Sequence, residues 1–175
     1  MIYIIIGATN AGKSSLTRNT FLSGRRFWTK RDLMPITETD DCYIIGRYDT
    51  KERRVGTDTT SRTDIGLYAD QVRRLIGSGK DIVLEGMRCV SRPMMNVLVH
   101  LGQEIHLIWV RATPKTSYER TKGSISFKVV QQDWTKCRNF ISDYRNKVKC
   151  TIIDTDAIAD FTTFKLDCDK YRHED

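Results

Sequence analysis

Near the start of the chain, Gly7-Ala8-Thr9-Asn10-Ala11-Gly12-Lys13-Ser14 has the residue types and spacing of a phosphate-binding loop, GxxxxGK[ST]. Gly7 and Gly12 let the backbone approach a ligand where a side chain would obstruct it. Successive backbone N–H groups can then converge on one concavity, and a following helix adds partial positive charge there. Lys13 is long enough to reach the outer phosphates of a nucleoside triphosphate, and the Ser14 hydroxyl is of the kind that ligates Mg²⁺. The flanks agree with this reading. Met1-Ile2-Tyr3-Ile4-Ile5-Ile6 is an apolar, β-branched run suited to a buried strand, and Ser15-Leu16-Thr17-Arg18 can begin a helix.

Phosphoryl transfer asks for more: a metal ligand, a base for the attacking hydroxyl and cations over the developing charge. Glu85 ends the apolar run Asp81-Ile82-Val83-Leu84, where a carboxylate can serve a Mg²⁺-bound water or the acceptor, or merely cap a loop. Asp40, Asp41, Asp49 and Asp58 flank an earlier apolar run. The stretch holding Gly46-Arg47-Tyr48-Asp49 and Val55-Gly56-Thr57-Asp58-Thr59-Thr60-Ser61-Arg62 mixes glycine, hydroxyls, Asp and Arg without a period. Such loops carry function more often than packing. Asp58 is preferred to Asp49 as the base, because Gly56 and Thr57 beside it suit close approach to a ligand. Past a later strand come Arg111, Arg120, Lys122 and Gly123, which can close over the γ-phosphate as a lid or serve as ordinary surface charge. Asp154-Thr155-Asp156 occupies a place that often borders a nucleotide base. His100, His106 and His173 have no ligand-like spacing.

These residues need a frame. Besides the first run, Cys42–Gly46, Ile82–Leu84, Ile105–Val110 and Cys150–Ile153 read as strands, separated by helical stretches at about 63–76, 91–101, 114–122 and 126–148. Pro93 and Pro114 sit where a helix start tolerates a missing N–H, and Gly77-Ser78-Gly79 stops the first of these helices. The alternation predicts an α/β fold: a five-stranded parallel sheet, helices on both faces and a helical lid. At 175 residues and 39% hydrophobic, one domain is expected, with the lid at about 111–125 and a tail at about 157–175. Phe127, Val130, Trp134, Cys137, Ile141 and Tyr144 form an apolar stripe on the long helix, expected to be core.

The opening apolar run is short and meets the glycine loop at once, so neither a signal peptide nor a membrane span is expected there. Five cysteines without a CxxC pair read as reduced thiols in a cytoplasmic protein, not as a disulfide framework or a zinc site. Lys plus Arg total 29 against 22 acids, a formal charge of +7 that an enzyme of small metabolites does not need. Arg18, Arg25, Arg26, Lys30 and Arg31 surround Phe21, Phe27 and Trp28 with no acid among them. That segment can track a phosphate backbone and stack bases, or be a solvated helix end whose aromatics pack inward. Lys128, Lys136, Arg138, Arg145 and Lys147 read by default as the solvated face of the long helix. A GTPase would want DxxG and NKxD elements, and neither is present.

With the phosphate loop, Glu85 and the Arg-bearing lid candidate in place, the chain resembles the small P-loop kinases, which include nucleoside, nucleotide and polynucleotide kinases. The resemblance spans about residues 1–156 and implies ATP with Mg²⁺ and transfer of the γ-phosphate to a hydroxyl or phosphate. More specifically, Gly46-Arg47-Tyr48-Asp49 followed by Gly56-Thr57-Asp58-Thr59 resembles a segment of phage-encoded kinases, some of which phosphorylate 5-hydroxymethyluracil within DNA. That likeness implies DNA as substrate and, for a phage protein, the host cytoplasm. It also implies roles. Gly7 to Ser15 would cradle ATP with Arg111, Lys13 would stabilise the transferring group, and Ser14 and Glu85 would hold Mg²⁺. Asp58 would be the base and Arg120 the lid cation, while Arg47, Asp49, Arg62, Glu85 and Arg88 would face the acceptor. The chain departs from the Asp-Arg-Ser or Glu-Arg-Ser signature of many deoxynucleoside kinases, reading Glu85-Gly86-Met87-Arg88 instead. Arg88 is then a substitute substrate ligand or simply a residue approaching a helix.

Overall fold

A computed structural model describes residues 1–49, 56–57 and 65–168. All five residues of β1 (Ile2–Ile6) are buried, as a strand covered on both faces requires. It lies between β5 (Asp81–Glu85) and β6 (Ile105–Arg111), parallel to both, with Ile2 opposite Ile82 and Ile105. Outside them, β4 (Cys42–Ile45) runs parallel to β5 and β7 (Lys149–Asp154) parallel to β6. These are the five strands the sequence predicts.

The sheet nevertheless has seven strands, in the order β2-β3-β4-β5-β1-β6-β7, which corrects the five-stranded expectation. The additional pair, β2 (Trp28–Arg31) and β3 (Pro35–Glu38), is antiparallel and extends the β4 edge. Both are short, β2 is largely polar, and Pro35 at the head of β3 reads as a breaker; an edge position tolerates each of these features.

One face of the sheet is covered by α2 (Ile65–Leu75), α3 (Arg92–Val99) and α5 (Phe127–Tyr144), through Tyr68, Val72, Met94, Met95, Leu98, Cys137 and Phe140. The other face is covered by α1 (Lys13–Thr17), by the wider helical turn Arg18–Leu22 that continues it, and by Phe164 and Leu166 of the C-terminal segment. Residues 157–168 are therefore partly packed structure and not only a tail. The helix starts follow the chain's own signals: Ser91 and Thr113 cap α3 and α4 (Pro114–Arg120) by accepting from the N–H groups of Met94 and Thr116, with Pro93 and Pro114 in the first turns.

The α5 stripe is core except at its first member. Val130, Cys137, Ile141 and Tyr144 are buried and Trp134 packs against the core, but Phe127 is 44% exposed. In the first turn of α5 the Phe127 ring meets Tyr118 of α4, ring against ring at 5.6 Å. Phe140, outside the predicted stripe, is buried instead. In the basic segment, Phe21 joins the core while Phe27 and Trp28 stand exposed on the sheet edge.

The connection after β1 runs to β2 at one edge of the sheet and the connection after its neighbour β6 runs to β7 at the other, so the two part at the carboxyl ends of β1 and β6, the usual ligand position in such sheets. Gly7 follows β1 at that point.

Candidate functional site

The phosphate loop turns tightly out of β1. A Cβ on Gly7 would collide with the Val110 carbonyl at the end of β6, and one on Gly12 would collide with the Phe161 ring. Gly12 also has φ +103°, a left-handed value that favours glycine, and Asn10 takes φ 59°. Lys13, nine-tenths buried, curls back so that its Nζ donates to the Ala8 carbonyl at 3.0 Å. The ammonium thus lies across the mouth of its own loop. Cys137 of α5 backs the loop; burial pushes its thiol up to about 12, with Lys13 and the Gly7 backbone pulling the other way.

Ser14 and Glu85 come together as the sequence predicts. Ser14 Oγ lies 3.3 and 3.4 Å from the two Glu85 carboxylate oxygens, and Glu85 is 2% exposed. Around them stand residues that no motif indicates. The buried Tyr48 hydroxyl donates to Glu85 Oε2, and Thr57 Oγ1 donates to the Glu85 backbone carbonyl at 2.8 Å. Gly56 sits against the same carboxylate, since a Cβ there would be 2.6 Å from Glu85 Oε2. Gly46 is back to back with Gly56, and Arg47 pairs with Gly56 across an antiparallel bridge. Burial, then the Glu85 charge and hydrogen bond, hold the Tyr48 phenol well above its ordinary value, so it remains a donor at neutral pH.

The remaining predicted residues are more dispersed. Arg47 and Asp49 pair with each other at 3.1 Å on the surface near Tyr48, and the Arg47 hydrogen bond lowers the Asp49 carboxyl. Arg88, partly buried, lies on a short turn at Met87–Cys89 after β5. Arg111 pairs with Asp154 at 2.6 Å; the Asp156 backbone N–H, then Arg111, lowers that carboxyl. Arg120 donates to the carbonyls of Thr155 (2.6 Å) and Ile158 (2.9 Å) and stacks on Phe161 at 5.0 Å. Its own carbonyl accepts from Asn10 Nδ2 at 3.1 Å, which puts the end of α4 beside the phosphate loop. Thr155 Oγ1 donates to the Ala11 carbonyl at 2.9 Å, so the segment after β7 lies against the phosphate loop. Asp58 and Arg62 lie outside the described residues.

The donor set suits a hard cation held with phosphates. Mg²⁺ commonly uses one or two carboxylates, with water and phosphate oxygens completing its shell. Ser14 and Glu85 supply neighbouring oxygens beside the loop. Among the described residues no three His, Cys, Asp or Glu side chains are grouped so as to hold a metal ion. A polar cavity of about 1010 Å³ opens elsewhere, at the amino ends of β4 and β5 beside Arg25, Asp41, Lys80 and Asp81, and takes no part in this geometry.

The sequence marks Gly56 and Thr57 as neighbours of Asp58 and, with Tyr48, as part of the segment that resembles phage-encoded kinases, but it assigns no role to Tyr48 or Phe161. The Gly46-Arg47-Tyr48 turn after a strand was a usable signal for Tyr48. Nothing in the sequence marks Phe161, which lies far along the chain from Gly12.

No family model matches the chain, and no curated protein matches it. Among solved structures, deoxyadenosine kinase from M. mycoides with bound dCTP is similar at 13% identity, over 98% of this chain and 99% of that one, with a TM-score of 0.49. The same enzyme with bound dATP gives 12% identity over the same shares and a TM-score of 0.45. A likeness this distant carries no argument about what the present chain binds.

Proposed function

We propose that this chain is an ATP- and Mg²⁺-dependent phosphotransferase whose acceptor is a hydroxyl on a nucleoside unit. The observation that carries the reading is the phosphate loop at the carboxyl end of β1 with Lys13 and Ser14 in place and Ser14 facing the buried Glu85. ATP would supply the transferring group, and Mg²⁺ would neutralise charge developing on its oxygens. The loop from Gly7 to Ser15 would bind the phosphates, and Lys13 would swing from the Ala8 carbonyl to the outer phosphates. Ser14 and Glu85 would hold the cation. Arg120, with Arg111, would close the nucleotide side. Arg47, Asp49, Arg62 and Arg88 would face the acceptor, and Asp58 would accept the proton of its hydroxyl.

Three acceptors fit: a free nucleoside or nucleoside monophosphate, a 5′ hydroxyl of a polynucleotide, and the 5-hydroxymethyl group of 5-hydroxymethyluracil within DNA. A DNA acceptor is supported by one feature, the sheet edge at β2, where Phe27 and Trp28 are 40% and 46% exposed beside Arg25, Arg26, Lys30 and Arg31. The test offers γ-labelled ATP with Mg²⁺ in parallel to free nucleosides and monophosphates, to DNA with free 5′ hydroxyls, and to hydroxymethyluracil DNA. Label on monomers assigns nucleotide metabolism, label on 5′ ends a polynucleotide kinase, and label only on the modified DNA a base kinase. No label on any acceptor, with ATP bound, overturns the phosphotransferase reading.

A further inference from the structure

We infer that Tyr48 is a positioning residue, whose phenol sets the orientation of the Glu85 carboxylate for the divalent cation. The inference rests on the phosphotransferase reading above. It begins from an asymmetry at Glu85. The Ser14 hydroxyl is shared between both carboxylate oxygens at 3.3 and 3.4 Å, a long contact that a hydroxyl can give up to a better partner. The Tyr48 hydroxyl donates to Oε2 alone, from a side chain 4% exposed. The phenol therefore bonds one carboxylate oxygen, while the Ser14 hydroxyl lies against both.

Tyr48 is in turn held by its backbone. Its N–H donates to Thr37 Oγ1 at 3.0 Å, and the same Thr37 hydroxyl donates to the Gly46 carbonyl at 2.9 Å. Strand β3, absent from the predicted fold, thus supports the turn that aims the phenol. From the other side, Gly56 leaves room for the carboxylate and Thr57 donates to the Glu85 carbonyl. Tyr48 and Thr57 thus both bond Glu85, the one at its carboxylate and the other at its backbone carbonyl. Removing a hydrogen-bond partner that orients a metal-binding carboxylate typically costs about 10- to 100-fold in metal affinity.

The ring of Tyr48 packs in the core, but the proposal concerns only its hydroxyl, so Tyr48→Phe separates the two roles. The experiment titrates the full chain with Mn²⁺ in the presence of ATP, read by electron paramagnetic resonance, alongside metal-free ATP binding and a thermal midpoint. Tyr48→Phe is expected to weaken Mn²⁺ affinity about 10- to 100-fold while metal-free ATP binding is unchanged. In a Glu85→Gln background the same substitution should add no further loss, because the two groups act as one unit. Gly56→Ala, which presses a Cβ onto the same carboxylate oxygen, gives a second variant with the same expected direction. Wild-type Mn²⁺ affinity in both folded variants, or losses that add in the double variant, overturns the positioning role alone. A wild-type chain that binds no Mn²⁺ with ATP overturns the phosphotransferase reading and this inference with it.

Discussion

Lys13 and Gly12 act at the scale of single residues. The Lys13 ammonium is nearly buried and bonded to the Ala8 carbonyl within its own loop. Lys13→Ala is expected to lower turnover by about 10²- to 10³-fold, the usual cost of deleting a charge-stabilising donor, with the fold retained. Steady-state kinetics with a circular dichroism melt checks both halves. Gly12→Ala differs in kind, because it forces a side chain into φ +103° and against Phe161. Strain of this sort costs about 1–3 kcal/mol, and an equilibrium denaturation curve should show it together with weaker ATP binding. Lys13, Ser14, Gly12 and Glu85 were legible because each role follows from residue type at a short spacing. The Tyr48 contact was not, since it joins residues far apart in the chain whose pairing depends on the order of the strands.

Helix α5 and the β2–β3 edge show how elements revise a pattern. A stripe of period 3.6 says which residues share a helix face, but not where along the helix the sheet stops. Phe140→Ala should destabilise by about 3–5 kcal/mol, whereas Phe127→Ala should cost about 1 kcal/mol or less, compared by denaturant midpoints. On the opposite edge, Glu38 of β3 bonds Lys30 of β2 at 2.6 Å and Lys80 before β5 at 2.9 Å, pinning the antiparallel pair to the parallel sheet. Burial would raise the Glu38 carboxyl, but the two lysines outweigh it and hold it below its ordinary value. A carboxylate depressed in the folded state contributes stability above its unfolded value, lost as pH falls through the folded one. The stability gap between wild type and Glu38→Gln should therefore be full at pH 7 and shrink below about pH 4 in parallel denaturant series.

For the whole molecule, the formal charge of +7 bears on association more than on fold. If the acceptor is polymeric, affinity for single-stranded DNA should fall with salt, each phosphate met adding about −0.7 to the slope of log affinity against log salt. A flat dependence in fluorescence anisotropy assigns monomeric acceptors and leaves the β2 edge a solvated surface. Among the described residues no helix is long and apolar enough to cross a membrane.

The sequence by itself determined the parts governed by local chemistry: the glycine-lysine-serine loop, the five parallel strands, the capped helices and an acid at the end of β5. These depend on residue types within a few positions of one another, and the packing of the folded chain respects them. Only the tertiary structure decided what depends on distant segments meeting. It added β2 and β3 at an edge where weak, polar strands are tolerated, and it left Phe127 exposed against Tyr118 of α4. It laid Phe161 against Gly12 and brought Tyr48, Gly56 and Thr57 around Glu85. The physical reason is the same in each case: a side chain's partners are set by strand order and layer packing, which no local pattern of residues encodes.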